Sequence, residues 1–321
     1  MAGVPLSEKS LIEGVRRSVG RAGRSALRLG MGDDCAVLRL PMGHEALITT
    51  DFSLEGVHFR RNWHGPEVVG HRCLTRGLSD IAAMGGEPLA AFLSLALPAK
   101  LSQKWVHRFL DGLLGLAKQF GVPLAGGDTA QSPGGILADI VVMGSVPKGR
   151  AVLRSGARVG DAIYVTGSLG GSAAAIDRLR KGKRAGARDY SQHFRPTPRV
   201  EVGRYLRDRG LASAMIDVSD GLSTDLAHIC EESGVGAEVE AGLIPLAAVG
   251  KPRRAVDLDH ALHGGDDYEL LFTSRGRVPA TIAGVAVTMI GRVVRGRKMY
   301  LVREGRRSAL KARGWQHFRG S

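Results

Sequence analysis

At 321 residues, with 44% hydrophobic residues and 45 glycines, the chain is long enough for two cores and too apolar to be disordered. Its 45 Lys+Arg outnumber its 31 Asp+Glu, a formal net charge of +14, but aromatics are only 5% and no nucleic-acid-binding motif accompanies the basic residues. Cys35, Cys73 and Cys230 stand far apart with no Cys-x-x-Cys, which argues against a disulfide framework or a zinc site and for a reducing compartment.

In chain order, Ala36–Leu40 and Glu45–Thr50 read as strands joined by a short turn. A helix is predicted from Pro66 to Met84, with Pro at its start and Gly85-Gly86 beyond its end. Pro88–Leu97 reads as a strand, Ser102–Phe120 as an amphipathic helix, and Val122–Ala125 as a short buried strand running into GGDT. Ile136–Val146 is another strand. The Gly- and Arg-rich segment 147–161 makes a domain junction, giving domains 1–148 and 149–321.

Beyond it, 161–167 reads as a strand and GSLGGSAAAIDRLRKG as a Gly-rich turn entering a helix. Pro198–Arg209 is helical, Ala214–Val218 a strand, Leu222–Ser233 a helix and Tyr268–Thr273 a strand, with short strands near Val285–Val293 and Met299–Val302. Strands and helices intermix without strict alternation, so mixed α/β, α+β-like, is the expected class. No apolar run reaches the ~20 residues of a membrane span, and the opening MAGVPLSEKSLIEGVRR lacks an apolar h-region. A cytoplasmic protein without membrane association is expected. The segments 178–209 (eleven Lys/Arg, three acids) and 282–321 (ten Lys/Arg against Glu304) are read as solvated basic surface in preference to a nucleic-acid face.

Against this basic background the acids recur in Gly-flanked knots: GDD (32–34), TTD (49–51), LSD (78–80), GGD (126–128), IDVSD (216–220) and GGDD (264–267). A single Asp beside Gly is usually a turn or cap residue. Six such knots, gathered together, would repel unless cations lay among them. Hard cations such as Mg²⁺ take oxygen ligands and need only one or two carboxylates plus substrate phosphates. There is no Walker A sequence; Gly167-Ser168-Leu169-Gly170-Gly171-Ser172 could offer backbone N–H groups to a phosphate, or be only a tight strand-to-helix turn.

GDDCAVL, TTDFSLEGVHF, LSDIAAMGGEP, GGDTAQSP, RSGARVGDAIYVTGSLGGSAAA, IDVSDGLSTDLAHI, GGDDYELLFT and GWQHF occur in that order. Together, from about Leu6 to Phe318, they resemble the thiamine-monophosphate kinase family, of the ATP-using superfamily of aminoimidazole ribonucleotide synthetase. The resemblance implies an N-terminal α/β domain that dimerises by packing sheets and a C-terminal α/β domain, with ATP and several Mg²⁺ ions between them. It leaves a K⁺ requirement open. By motif, it implies Asp33, Thr49 or Thr50, Asp51, Asp80, Asp128, Asp217 and Asp220 as magnesium ligands. It puts Gly127, Asp128, Arg154 and Ser219 at ATP, and His58, Asp266, Trp315 and Phe318 at thiamine monophosphate. Asp217, Asp220 and Arg154 would carry the catalysis.

The chain departs from the family pattern at Arg76-Gly77 (commonly Val-Asn), Asp266 (commonly Glu) and Phe52 (commonly Met). The alternatives are a relative acting on another acceptor and a basic nucleic-acid-binding protein. Selenophosphate synthetase is disfavoured by the lack of an early Cys in a Gly-rich leader, and the hydrogenase maturation protein by an ending in HFRGS. On residue type alone, His58 could be a strand-end histidine, and Trp315 and Phe318 could simply pack the tail. Tyr268, Leu270 and Phe272 are expected in the core.

Overall fold

The computed structural model describes residues 26–31 and 33–316. They fall into two compact units. The first runs up to Ile81 and includes Gly86–Gly149; the second comprises Ala82–Gly85 and the described residues from Arg150 onward.

In the first unit, strands β1 (Leu27–Leu29) and β2 (Val37–Leu38) pair with each other. Strand β3 (His44–Leu54), helix α1 (Pro66–Ala83), β4 (Glu87–Pro98), α2 (Gln103–Gln119), β5 (Leu124–Ser132) and β6 (Leu137–Pro147) follow. The sheet order is β3-β6-β4-β5, with β4 and β5 parallel and the other neighbours antiparallel. The expected hairpin of 36–40 with 45–50 does not form. Strand β2 turns back onto β1, while all eleven residues of β3 pair with β6, a longer ladder than the local turn can compete with. Helix α2 starts where Ser102 accepts the N–H of Trp105 at 3.3 Å. Period-2 alternation along β3 buries Leu47 and Ser53 and exposes Ile48, Thr50 and Phe52 on the opposite face.

The second unit contains β7 (Ala162–Thr166), α3 (Gly171–Arg180), α4 (Ser191–Phe194), α5 (Val200–Asp208), β8 (Ala214–Asp217), α6 (Leu222–Ser233), β9 (Gly236–Glu240), β10 (Ala248–Val249), β11 (Arg254–Ala255), α7 (Leu258–His263), β12 (Leu270–Ser274), β13 (Thr281–Ile282), β14 (Val285–Val294), β15 (Met299–Arg303) and β16 (Arg306–Ala309). Its main sheet runs β16-β15-β9-β14-β7-β12-β8, with β13 paired to β14. Ile163, Val165, Ile216, Leu271, Ile290 and Val239 from these strands meet Leu222, Leu226 and Ile229 of α6 in one buried core. Helix α6 begins after Gly221 and ends at Gly234 in the left-handed conformation, the punctuation its sequence announces. Among the described residues, no helix is long and apolar enough to cross a membrane.

Candidate active site

In the first unit, β3 and α1 bring acids together. Alternation places Thr49 and Asp51 on the face that also carries Leu47 and Ser53, toward Asp80. The Thr49 hydroxyl donates to the Asp80 carboxylate, and Asp51 is hydrogen-bonded to Asp80 as well. Burial first, then the charge of Asp80, pushes the Asp51 carboxyl up to about 7, while the Arg76 guanidinium pulls the other way. Arg76, one of the departures from the family pattern, therefore supplies a countercharge inside this acid group. Thr50 points to the other side of the sheet and donates to Asp139 at 2.7 Å.

The remaining expected residues of this unit are more dispersed. Asp33 is exposed, and its Oδ1 accepts the N–H of Asp34 at 3.0 Å. Gly127 and Asp128 lie within β5, which extends through GGDT because its parallel pairing with β4 continues to Ser132. Asp128 is exposed, with Oδ1 accepting the N–H of Thr129 at 2.8 Å. His58 Nδ1 accepts the N–H of Leu54 at 3.0 Å, a strand-end contact.

In the second unit, three motifs distant in sequence are bonded together. The IDVSD stretch leaves the end of β8 and the DDYE stretch enters β12; they continue the pairing of those two strands. Val218 N donates to Glu269 O at 2.7 Å, Tyr268 N to Val218 O at 2.9 Å and Asp266 N to Ser219 O at 2.8 Å. The approach is close: a Cβ on Gly265 would lie 2.4 Å from Ser219 O, which explains one glycine of GGDD. The third motif is GW of the tail. Trp315 N donates to Asp220 O at 3.0 Å, Gly314 N to Thr224 Oγ1 at 2.9 Å and Arg313 N to Ser223 Oγ at 3.3 Å. A Cβ at 314 would fall 2.1 Å from Asp220 O, so the tail can seat this deeply only with glycine there. Asp217, Ser219, Asp220, Asp266 and Trp315 are thus gathered by backbone bonds. Phe318 lies outside the described residues. Arg154 is exposed in a short 3₁₀ turn, where its carbonyl accepts the Ser233 hydroxyl at 2.8 Å.

Several residues that the sequence did not single out support this arrangement. Asp225 accepts the N–H groups of Gly221 at 2.9 Å and Asp220 at 3.2 Å, fixing the turn into α6. Burial, then Asp217 and Asp220, push its carboxyl well above the usual range. An acid one helical turn after a Gly start is a capping signal. Glu269, 1% exposed, accepts from Thr166 Oγ1 at 2.6 Å and from Arg199 through two nitrogens at 2.7 and 2.5 Å.

Asp267 accepts Gly170 N at 2.7 Å and Ser172 N at 3.5 Å. Burial pushes its carboxyl up while these amides pull it back. Of the amides considered above as a phosphate cradle, those of Gly170 and Ser172 bind the chain's own carboxyl group, and those of Gly167 and Leu169 bind the carbonyls of Ala286 and Pro245. Asp266 (φ 65°) and Tyr268 (φ 53°) both hold the left-handed conformation. For a bulky residue such as Tyr this costs on the order of 1–3 kcal/mol, and the strand starts at Leu270 rather than at Tyr268.

Among the described residues, no group of three or more His, Cys, Asp or Glu side chains is placed to hold a metal ion. The donors present are nevertheless hard oxygens, and Asp51 beside Asp80 is a half-buried acid pair whose repulsion a divalent cation would relieve. The residues fit Mg²⁺ in kind.

Comparison with known proteins places these motifs in a family. Residues 32–146 match the AIR synthase related protein N-terminal domain, and residues 158–304 match its C-terminal domain. The chain is 38% identical over 314 residues to the thiamine-monophosphate kinase of Escherichia coli (strain K12), covering 93% of this chain and 94% of that protein. Its fold is similar to the crystal structure of thiamine-monophosphate kinase from Stenotrophomonas maltophilia K279a, with a TM-score of 0.82 and 35% identity over 95% of this chain and 99% of the other. It is also similar to AaThiL complexed with AMPPCP and TMP, with a TM-score of 0.76 and 30% identity over 98% of this chain and 97% of the other. The mixed α/β class and the two AIR synthase-type domains expected from the sequence are present.

Proposed function

The chain belongs to the AIR synthase related proteins and, among them, to the thiamine-monophosphate kinases, and from that membership we propose that it transfers the γ-phosphoryl group of ATP to thiamine monophosphate, giving thiamine diphosphate and ADP. The observation that carries this reading is the convergence of IDVSD, GGDDYE and the Gly314-Trp315 tail through backbone hydrogen bonds. It joins carboxylates suited to a cation–phosphate group with an aromatic face suited to a cationic ring.

The acceptor is itself a phosphate with a second pKa near ~6, already mostly ionised at neutral pH. No residue is needed to remove a proton, and transfer can be direct, without a phosphorylated side chain. The chain's task is to hold two anions side by side. In the first unit Asp51 and Asp80, with Thr49, Asp33 and Asp128, would hold Mg²⁺, and in the second unit Asp217 and Asp220 would do so. Such ions, when bound, would supply positive charge that offsets phosphate repulsion.

In the second unit, exposed Arg154 and Ser219 would contact ATP; the contacts expected of the first unit are Gly127 and Asp128. Trp315 is 45% exposed; its indole face suits the thiazolium of the acceptor, and Asp266 meets the acceptor's hydrogen-bond donors. Two copies of the chain associate through the outer face of the first unit's sheet, where Ile48 and Phe52 are 67% and 53% exposed. Purified protein incubated with ATP, Mg²⁺ and thiamine monophosphate should form thiamine diphosphate. Its absence, with ATP intact, would refute the proposal.

A further inference from the structure

The DDYE stretch contains an unexplained choice of residue. Tyr268 sits at φ 53° in a conformation that glycine or asparagine adopts far more readily, and its side chain is 1% exposed. The cost of holding a large side chain in this conformation must be offset by its packing and its hydrogen bond. Its ring reaches back two residues, and its hydroxyl donates to Asp266 Oδ1 at 2.6 Å, the short distance of a charge-assisted bond to a carboxylate. Asp266 is also left-handed at φ 65°, so this contact spans two strained residues.

Each end of the contact is anchored. Asp266 N is bonded to Ser219 O and Tyr268 N to Val218 O. Between them, Asp267 is bonded to Gly170 N, and beyond them Glu269 is bonded to Arg199 and Thr166. Asp267 and Glu269 are turned into the core, 5% and 1% exposed. Asp266 alone among these three acids remains half-buried, beside the Asp220 to which Trp315 is bonded.

We propose that Tyr268 is a positioning residue: its phenol fixes the Asp266 carboxylate in the orientation that receives the hydrogen-bond-donating or cationic part of the acceptor. This rests on the reading of Asp266 as an acceptor contact and deepens it. Tyr268 does not itself touch the acceptor; a carboxylate held by the phenol enters the complex without having to be ordered.

Three variants of the full chain test this: Tyr268→Phe, which keeps the ring and removes the hydroxyl, Asp266→Asn, and the double variant. Equilibrium binding of thiamine monophosphate and of AMPPCP is measured separately, with steady-state kinetics for each substrate and a melting curve. Tyr268→Phe should weaken thiamine monophosphate binding and raise its KM by about three- to thirtyfold, leave AMPPCP binding unchanged, and melt close to wild type. The double variant should bind thiamine monophosphate no more weakly than Asp266→Asn alone, because the phenol acts only through that carboxylate. Unchanged binding in Tyr268→Phe with weakened binding in Asp266→Asn overturns the role of the phenol alone. Unchanged binding in Asp266→Asn removes Asp266 from the acceptor, and the proposal with it. Additive losses in the double variant, or equal weakening toward both ligands with a collapsed melting temperature, would make Tyr268 a packing residue and overturn the proposal.

Discussion

Asp51→Asn probes the acid pair of the first unit, because it removes a charge while leaving a group that can still donate to Asp80. Burial and the Asp80 charge hold the Asp51 carboxyl at about 7 against an ordinary 3.8. Between those values the folded chain keeps a proton that the unfolded chain has lost, so the wild type loses stability as pH rises through the window and levels off above it. A tenfold change in acidity corresponds to about 1.4 kcal/mol, so the span from 3.8 to about 7 gives an upper figure of about 4 kcal/mol. Water entry and side-chain relaxation reduce this. Half of it, about 2 kcal/mol, corresponds to roughly 4–8 °C in melting temperature for a domain of this size. Asn has no carboxyl proton to lose in this range. Without divalent cations, the variant should melt near the wild type at about pH 4.5 and several degrees above it at about pH 8. Mg²⁺ should then raise the wild type more than the variant. Thermal unfolding at both pH values, with and without Mg²⁺, measures all of this. A variant that melts below the wild type at the higher pH, or whose advantage does not change with pH, refutes the reasoning.

Asp217→Asn and Asp220→Asn should each nearly abolish turnover with little change in melting temperature, since an amide is a poor ligand for a hard cation; wild-type-like rates at limiting Mg²⁺ would contradict the assignment. Trp315→Ala should raise KM for thiamine monophosphate by about three- to thirtyfold, the equivalent of a cation–π contact of roughly 0.5–2 kcal/mol, and leave KM for ATP nearly unchanged. Equal weakening for both substrates, with a large drop in melting temperature, would make Trp315 structural. Glu269→Ala strands the Arg199 guanidinium beside a buried gap and should destabilise the chain by about 3–5 kcal/mol in denaturant titration; an unmoved midpoint would show that the pair contributes nothing.

Where local chemistry decides structure, the sequence was a sufficient guide. Leu222–Ser233 is a helix with the expected limits because glycines bracket it, and Pro66–Ala83 ends just before Gly85-Gly86. It failed where distant segments decide. The turn at 41–43 looks like a hairpin turn, but β2 pairs with residues earlier in the chain and β3 with β6. The acid knots look alike as text, yet tertiary position divides their work. Asp266 stays half-buried while its neighbour Asp267 turns inward to amides 97 and 95 residues away. The link between Arg199 and Glu269, 70 residues apart, has no local signal at all. The left-handed φ of Tyr268 goes with backbone hydrogen bonds to a distant segment, from Tyr268 N to Val218 O and from Asp266 N to Ser219 O, and not with its own propensity, which favours strand.

With Asp267 seated on the amides of Gly170 and Ser172, those two N–H groups of the Gly-rich helix start are turned to the chain's own carboxyl group and away from a ligand. A P-loop protein grips a bare polyphosphate with backbone amides, but here, on the function proposed, carboxylates face it and an unchelated nucleotide meets like charge. Ion and nucleotide are then recognised as one object. Affinity for ATP tracks the free divalent cation as much as the nucleotide itself, and chelation of that cation empties the site without any competitor for it.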